Sequence, residues 1–212
     1  MITIQNFVFN PFHVNTYLLY DETGECVIID AGCYFPKEKN ELVNFIEKKN
    51  LKPVHLLNTH GHIDHLLGNL FLSEKYKLKP EAHILEVPMF NMASEQGKMF
   101  GIESDPPPDV QIYLDENSEI TFGHSNLKVL HTPGHTVGSI SFYSTDQKFV
   151  ITGDVLFYES IGRTDLPGGN YDVILRSIKE KLFVLPDDYS VYSGHGQSTT
   201  LLHEKKNNRF LI

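Results

Sequence analysis

The chain has 212 residues, 41% apolar and 21% charged: enough core-forming material for one domain spanning residues 1–212, and too ordinary a charge content for global disorder. Its formal charge is −9, and Lys75, Lys77 and Lys79 make only a short basic cluster that reads as a solvated helix end, so a nucleic-acid partner is disfavoured. No apolar run reaches membrane-spanning length. The N-terminus, "MITIQNFVFNP", has neither a basic leader nor a small-residue cleavage site, so a cytoplasmic protein with no membrane partner is expected.

In chain order, Ile2-Thr3-Ile4 alternates until "NPFHVN" breaks the run, and Val14 to Tyr20 is rich in β-formers. "DETGE" is a turn, and Cys26 to Ile29 is a short buried strand running into Asp30-Ala31-Gly32. Leu42, Phe45 and Ile46 share one face of a helix over 37–49, and Pro53 to Leu57 is the next strand. Leu66/Leu70 and Leu67/Phe71 pair at helical spacing, which predicts an amphipathic helix starting at Asp64. Glu81 to Leu85 reads as a strand. Residues 86–109 show no regular period, carry three of the four methionines and close on Pro106-Pro107-Pro108. Met89, Phe90, Met92, Met99 and Phe100 in that segment are either an apolar wall over a substrate or ordinary core filling. Strands resume at Glu119–Phe122, Leu127–Leu130, Ser139–Tyr143 and Lys148–Thr152. A helix over 171–183, a strand at 189–193 and a short tail complete the chain. The two cysteines form no staple pattern: Cys26 packs as a small apolar residue and Cys33 is a loop thiol without a catalytic role. "VNTYLLYDETGECVIIDAG" and "VGSISFYSTDQKFVITGDV", 123 residues apart, suggest two similar hairpins, each ending in an acidic, glycine-containing turn.

The unusual residues sit at strand ends. "LLNTH" ends at His60, "VLHTPGH" at His135, "VITGD" at Asp154 and "VYSGH" at His195, so four apolar strands deliver a potential metal ligand to one rim. Neutral imidazole and carboxylate are the usual ligands of zinc and similar cations. Within "THGHIDH", His60 and His62 lie two apart in extended backbone and point the same way, so both can reach one metal. Asp64 and His65, at the predicted helix start, diverge toward a second position; the alternative for Asp64 is a helix N-cap. A helix N-terminus there would repel cations, a tension the carboxylates would offset.

At these residues the chain resembles the metallo-β-lactamase superfamily: "THGHIDH" is similar to its T-H-x-H-x-D-H signature, and "HTPGHT", "TGD", "SGHG" and "DAG" match further motifs. The resemblance runs from residue 14 to 196 and implies an α/β fold, a four-layer αββα sandwich with the metal site on one edge. By position it implies His60, His62 and His135 on one metal, Asp64, His65 and His195 on a second, and Asp154 bridging both. The flavodiiron branch is expected to carry glutamate where this chain has His62, which disfavours it. "GRTDLPGG" is similar to a loop of single-domain glyoxalase II-like hydrolases and of persulfide dioxygenases; it makes Arg163 a candidate substrate contact, against the alternative that Arg163 simply pairs with Asp165. Asp30 is a candidate to orient a ligating histidine, or else only caps its turn. Only seventeen residues follow His195, so the glutathione contacts that full-length glyoxalase II draws from a C-terminal helical domain do not carry over.

The implied cofactors are two divalent metal ions, zinc first, with iron or manganese as alternatives. The implied activity is metallo-hydrolysis of a small-molecule thiol ester, in which a metal-bound hydroxide is the nucleophile and Asp64 and Asp154 are the catalytic carboxylates. A free thiol has a pKa of about 8.5, so thiolate leaves without strong acid help. The alternatives are a mononuclear Fe(II) persulfide dioxygenase on His60, His135 and Asp154, a lactone or β-lactam hydrolase, and a non-enzymatic metal-binding protein. Oligomeric state is not readable from the sequence.

Overall fold

The computed structural model describes residues 1–212. Five helices and two six-stranded sheets form an αββα sandwich. The first sheet runs β1 (Thr3–Phe9), β2 (Val14–Tyr20), β3 (Glu25–Ile29), β4 (Lys52–Leu57), β5 (Pro80–Ala82) and β6 (Ile112–Tyr113), in sequence order. Its first three strands are antiparallel and the rest parallel. The second contains β7 (Glu119–Phe122), β8 (Ser125–His131), β9 (Ile140–Ser144), β10 (Phe149–Gly153), β13 (Ser190–Ser193) and β14 (Thr199–Thr200), in the order β14-β13-β10-β9-β8-β7. Between β10 and β13 lies a small ribbon of β11 (Leu156–Phe157) and β12 (Ser160–Ile161).

Strand alternation builds three layers of core. Leu19, Val27, Ile29 and Leu57 point inward and meet Phe122, Val129, Phe142 and Ile151 between the sheets. Leu18, Ile28 and Leu56 point outward against Leu42 and Ile46 of α1 (Pro36–Lys48) and Leu72 of α2 (Asn69–Tyr76). On the far side, Val150 and Val191 pack against Ile174 of α4 (Tyr171–Ser177), Ile178 and Leu182 of the π-helical turn that continues it, and Leu201 of α5 (Leu201–Asn207). Central strands buried on both faces explain why they read as continuous apolar runs.

Several expectations are corrected. The helix placed from Asp64 is interrupted: Ile63–His65 is one 3₁₀ turn, and α2 begins only at Asn69. The Gly68 N–H donates to Ala31 O at 2.7 Å, and a Cβ at Gly68 would run into Cys33 Sγ and Ala31 O. Pinning this backbone to the exit of β3 prevents a continuous helix. Residues 86–109 are not irregular throughout but contain α3 (Val87–Met99). Its buried face is Phe90, Ala93 and Gly97, two of them too small to show an apolar period. The C-terminal tail forms β14 and α5. Thr200 caps α5, its side chain accepting from His203 N at 3.2 Å. Strand edges also shift: the strand placed at 81–85 is only β5, followed by a 3₁₀ turn. Cys33 is fully buried, and burial pushes its thiol up to about 12, so it is an inert packing residue.

Candidate metal centre

The parallel pairs β3/β4 and β10/β13 end at the same edge of the sandwich, and their C-terminal loops carry the clustered residues. Asp30 leaves β3, His60 to His65 leave β4, Asp154 leaves β10 and His195 leaves β13. His135 arrives on the β8–β9 loop. Asn15 holds the His195 loop in place: its Nδ2 donates to Ser193 O and Gly196 O, each at 2.9 Å, and its N–H donates to Gly194 O at 2.7 Å. Glycine is required at 194, because a Cβ there would collide with Asp154 Oδ1 and His65 Cε1.

The hydrogen bonds assign which imidazole nitrogens face the cluster. Asp30 accepts from Thr59 N and Thr59 Oγ1, both at 2.7 Å, and from His65 Nδ1 at 3.0 Å. With its proton given to Asp30, the Thr59 hydroxyl accepts from His60 Nδ1 at 3.0 Å. His135 Nδ1 donates to Arg163 O at 2.8 Å, and His195 Nδ1 donates to Phe12 O at 3.0 Å. Four histidines therefore turn Nε2 inward, each fixed by a partner on its outer nitrogen.

Two ligand groups result. His60 Nε2 lies 3.1 Å and His135 Nε2 2.8 Å from His62 Nδ1. A proton on His62 Nδ1 serves only one of these contacts, leaving the other lone pair against lone pair. Asp64, His65 and His195 form the second group, with His195 Nε2 at 3.3 Å and His65 Nε2 at 3.7 Å from Asp64 Oδ2. Asp154 lies between them, 3.5 Å from His65 Nε2, 3.6 Å from His135 Nε2 and 3.5 Å from His195 Nε2. His65 Nε2 and Asp154 Oδ1 are buried and lack any hydrogen-bond partner. Unsatisfied buried polar atoms are costly, and a divalent cation would satisfy both at once. The residues thus fit a metal pair.

The side chains alone set up two fields. Burial first, then the neighbouring imidazoles, hold His60 well below its usual range and His62 at about 4, so this group offers neutral lone pairs. Burial would also lower His65 and His195. Asp64, Asp154 and Asp30 outweigh it at His65, which is raised, and Asp154 and Asp64 carry His195 to about 9. Burial opposes ionisation of Asp64 and Asp154, but His65 and His195 keep both carboxyls below the usual range.

All seven residues singled out for metal converge. Asp64 lies inside the 3₁₀ turn and caps no helix, so the expected conflict with a helix N-terminus does not arise. Asp30 orients His65 and Thr59. The Arg163 guanidinium pairs with Asp165 through two bonds of 2.8 Å, and it is the Arg163 carbonyl that touches the centre. His131 stays on β8, stacked on His83 with ring centroids 4.4 Å apart. Glu86 escaped the sequence reading. Fully buried, it accepts from Gly61 N, Gly138 N and Thr136 Oγ1, each at 2.7 Å, and so clamps the His60–His62 loop to the His135 loop. Gly138 must be glycine, since its Cβ would sit 2.7 Å from Glu86 Oε1. Burial raises the Glu86 carboxyl, only partly offset by those donors. A glutamate inside the apolar run "ILEV" was the available signal.

This fold and this histidine–aspartate edge define a class, and the chain belongs to it: the Metallo-beta-lactamase superfamily family model matches residues 9–195. It is a metallo-hydrolase family whose members bind divalent metals. The chain is 38% identical over 203 residues to the probable metallo-hydrolase YqgX of Bacillus subtilis, covering 95% of this chain and 93% of that one. It is 35% identical to the hydroxyacylglutathione hydrolase GloC of Haemophilus influenzae, over 94% and 93% of the two chains. Among solved structures, TTHA1623 in a di-iron-bound form superposes with a TM-score of 0.89 at 33% identity, over 98% of this chain and 100% of that one. No helix is long and apolar enough to cross a membrane.

Proposed function

We propose that residues 1–212 act as one domain, a dinuclear thioester hydrolase of the hydroxyacylglutathione hydrolase type. His60, His62 and His135 would hold one cation, Asp64, His65 and His195 the other, and Asp154 would bridge them. The observation that carries this reading is the pair of partnerless buried atoms, His65 Nε2 and Asp154 Oδ1, between two complete ligand groups. Bound divalent cations would supply Lewis acidity and lower the pKa of water from roughly 15.7 to about 7. The chain supplies the rest. Asp154 and Asp64 stay ionised and present lone pairs, and Asp30, Phe12 O and Arg163 O hold three imidazoles in the required tautomer. The GloC relationship supports a thioester as substrate. Five imidazoles and two carboxylates suit zinc, and also iron or manganese.

The test is elemental analysis of the purified protein together with assays on S-lactoylglutathione, a β-lactam, a lactone and a glutathione persulfide. Two zinc ions per chain with thioester turnover is the expected result. One iron per chain with oxygen uptake on the persulfide would replace this reading with a dioxygenase.

A further inference from the structure

Helix α3 carries two stripes. Phe90, Ala93 and Gly97 face the core. Met89, Met92, Gln96 and Met99 face the other way, spaced along one side of the helix, and line a cavity of ≈ 670 Å³. Its floor is His62, Asp64, His135, Asp154 and His195, so whatever fills it lies against the candidate metal centre. Phe12 and Phe100, edge to face with centroids 5.7 Å apart, extend the methionine wall, and Phe157, Leu166 and Pro167 stand among the remaining lining residues. Met92 is 57%, Met99 83% and Phe100 51% exposed. Large apolar side chains left open beside a reactive centre favour an apolar ligand, and unbranched methionine adapts to its shape.

The charges of the lining offer little to a different kind of ligand. Arg163 is the only Lys or Arg among the lining residues, and its charge is shared with Asp165 through two bonds of 2.8 Å. The glutathione moiety of S-lactoylglutathione brings two carboxylates, whose recognition needs cations at fixed positions. The chain as a whole, at −9, offers no compensating attraction.

We infer that this cavity selects thioesters by an uncharged apolar substituent laid along the methionine stripe of α3, and not by the carboxylates of a glutathione moiety. The inference rests on the thioesterase reading above. S-Lactoylglutathione is then a substrate reached through the metal chemistry alone, and a neutral thioester with a longer acyl chain is the better one.

The experiment compares the metal-loaded full chain on S-lactoylglutathione and on the acetyl, butanoyl, hexanoyl and octanoyl thioesters of N-acetylcysteamine. Alongside, calorimetry measures binding of the inert thioethers S-octyl-N-acetylcysteamine and S-methylglutathione. The expected kcat/KM rises with chain length by up to about fourfold per methylene buried, and the octyl thioether binds the tighter of the two. In the double variant Met92→Lys/Met99→Lys, at two exposed positions the fold tolerates, the rise with chain length flattens by at least about tenfold overall and S-lactoylglutathione gains. A flat series, or a wild-type preference for S-lactoylglutathione, overturns the inference while leaving the thioesterase reading intact. Tight binding of the octyl thioether without turnover of any thioester overturns the thioesterase reading and supports the apolar selectivity of the cavity.

Discussion

Asp30 and Asp154 occupy the same place on two similar hairpins. Tyr20 pairs with Cys26 across β2–β3, and Tyr143 pairs with Val150 across β9–β10, so with the tyrosines equated each aspartate stands four residues past the pairing partner. Matching the two sequences at a constant spacing of 123 instead sets Asp30 opposite Gly153. The two carboxylates live differently. Asp30 is saturated by two donors from Thr59 and one from His65. Asp154 Oδ1 has no partner, and the histidines around Asp154 are 3.5–3.6 Å away. What separates a residue that can bind a cation from one that orients the ligands is therefore the number of lone pairs the protein leaves unused. Residue type and strand position are the same.

Asp154→Ala should break the asymmetry most severely. It removes the carboxylate shared by both ligand groups, so metal content measured by mass spectrometry should drop and thioester turnover should vanish while circular dichroism stays native. Turnover near the wild-type level would sink the bridging role.

Asp30→Asn sharpens the contrast. The amide keeps the size but loses acceptor capacity toward the Thr59 and His65 donors, and partners of this kind typically cost about 10–100-fold in metal affinity. Competition with a chromophoric chelator measures it. A loss as complete as that of Asp154→Ala would mean that Asp30 itself ligates.

Glu86→Gln sets an amide N–H against one of the three donors that Glu86 now accepts, leaving a buried donor unpaired. This should cost about 1–3 kcal/mol, and roughly 2–4 °C in Tm for each kcal/mol in a chain of this size, with weaker metal binding because the His62 and His135 loops are no longer clamped. An unchanged Tm by calorimetry would contradict the clamp.

The smallest effect is expected at Asp21, at the end of the sandwich opposite the cluster. Burial would raise its carboxyl, but donors from Thr23, His124 and Ser125 hold it at about 2, tying the β2–β3 turn to the β7–β8 turn. A carboxyl depressed on folding stabilises above its unfolded pKa of about 3.9 and loses that contribution as pH falls through the folded value. Asp21→Asn should therefore lower Tm at neutral pH, and the gap to wild type should close between about pH 4 and pH 2. A gap that stays constant across this range would show that the carboxylate charge is not what matters.

Much of the centre was legible because its signal is local. Four apolar strands each ending in His or Asp, and His60 and His62 two apart in extended backbone, mark in the sequence itself residues that the fold brings together. Helix α3 was not legible, because its buried face is built from Phe90, Ala93 and Gly97 while its apolar methionines face a cavity, so no single period dominates. Nor was the break between Asp64 and Asn69, since Leu66/Leu70 spacing fits a helix and only the bond from Gly68 N to Ala31 O, a contact across the sheet, forbids one.

The sequence by itself marked the strand-end residues that meet, because strand-end position and residue type are properties of short segments, and its motifs carried the resemblance that implied the family and the sandwich. Only the tertiary structure decided which of two equivalent aspartates is satisfied, that Arg163 offers its carbonyl rather than its charge to the centre, and that Glu86 joins the Gly61 loop to the Thr136 loop. Each of these is a question of which lone pair finds which donor, and that is fixed only when distant segments are packed together.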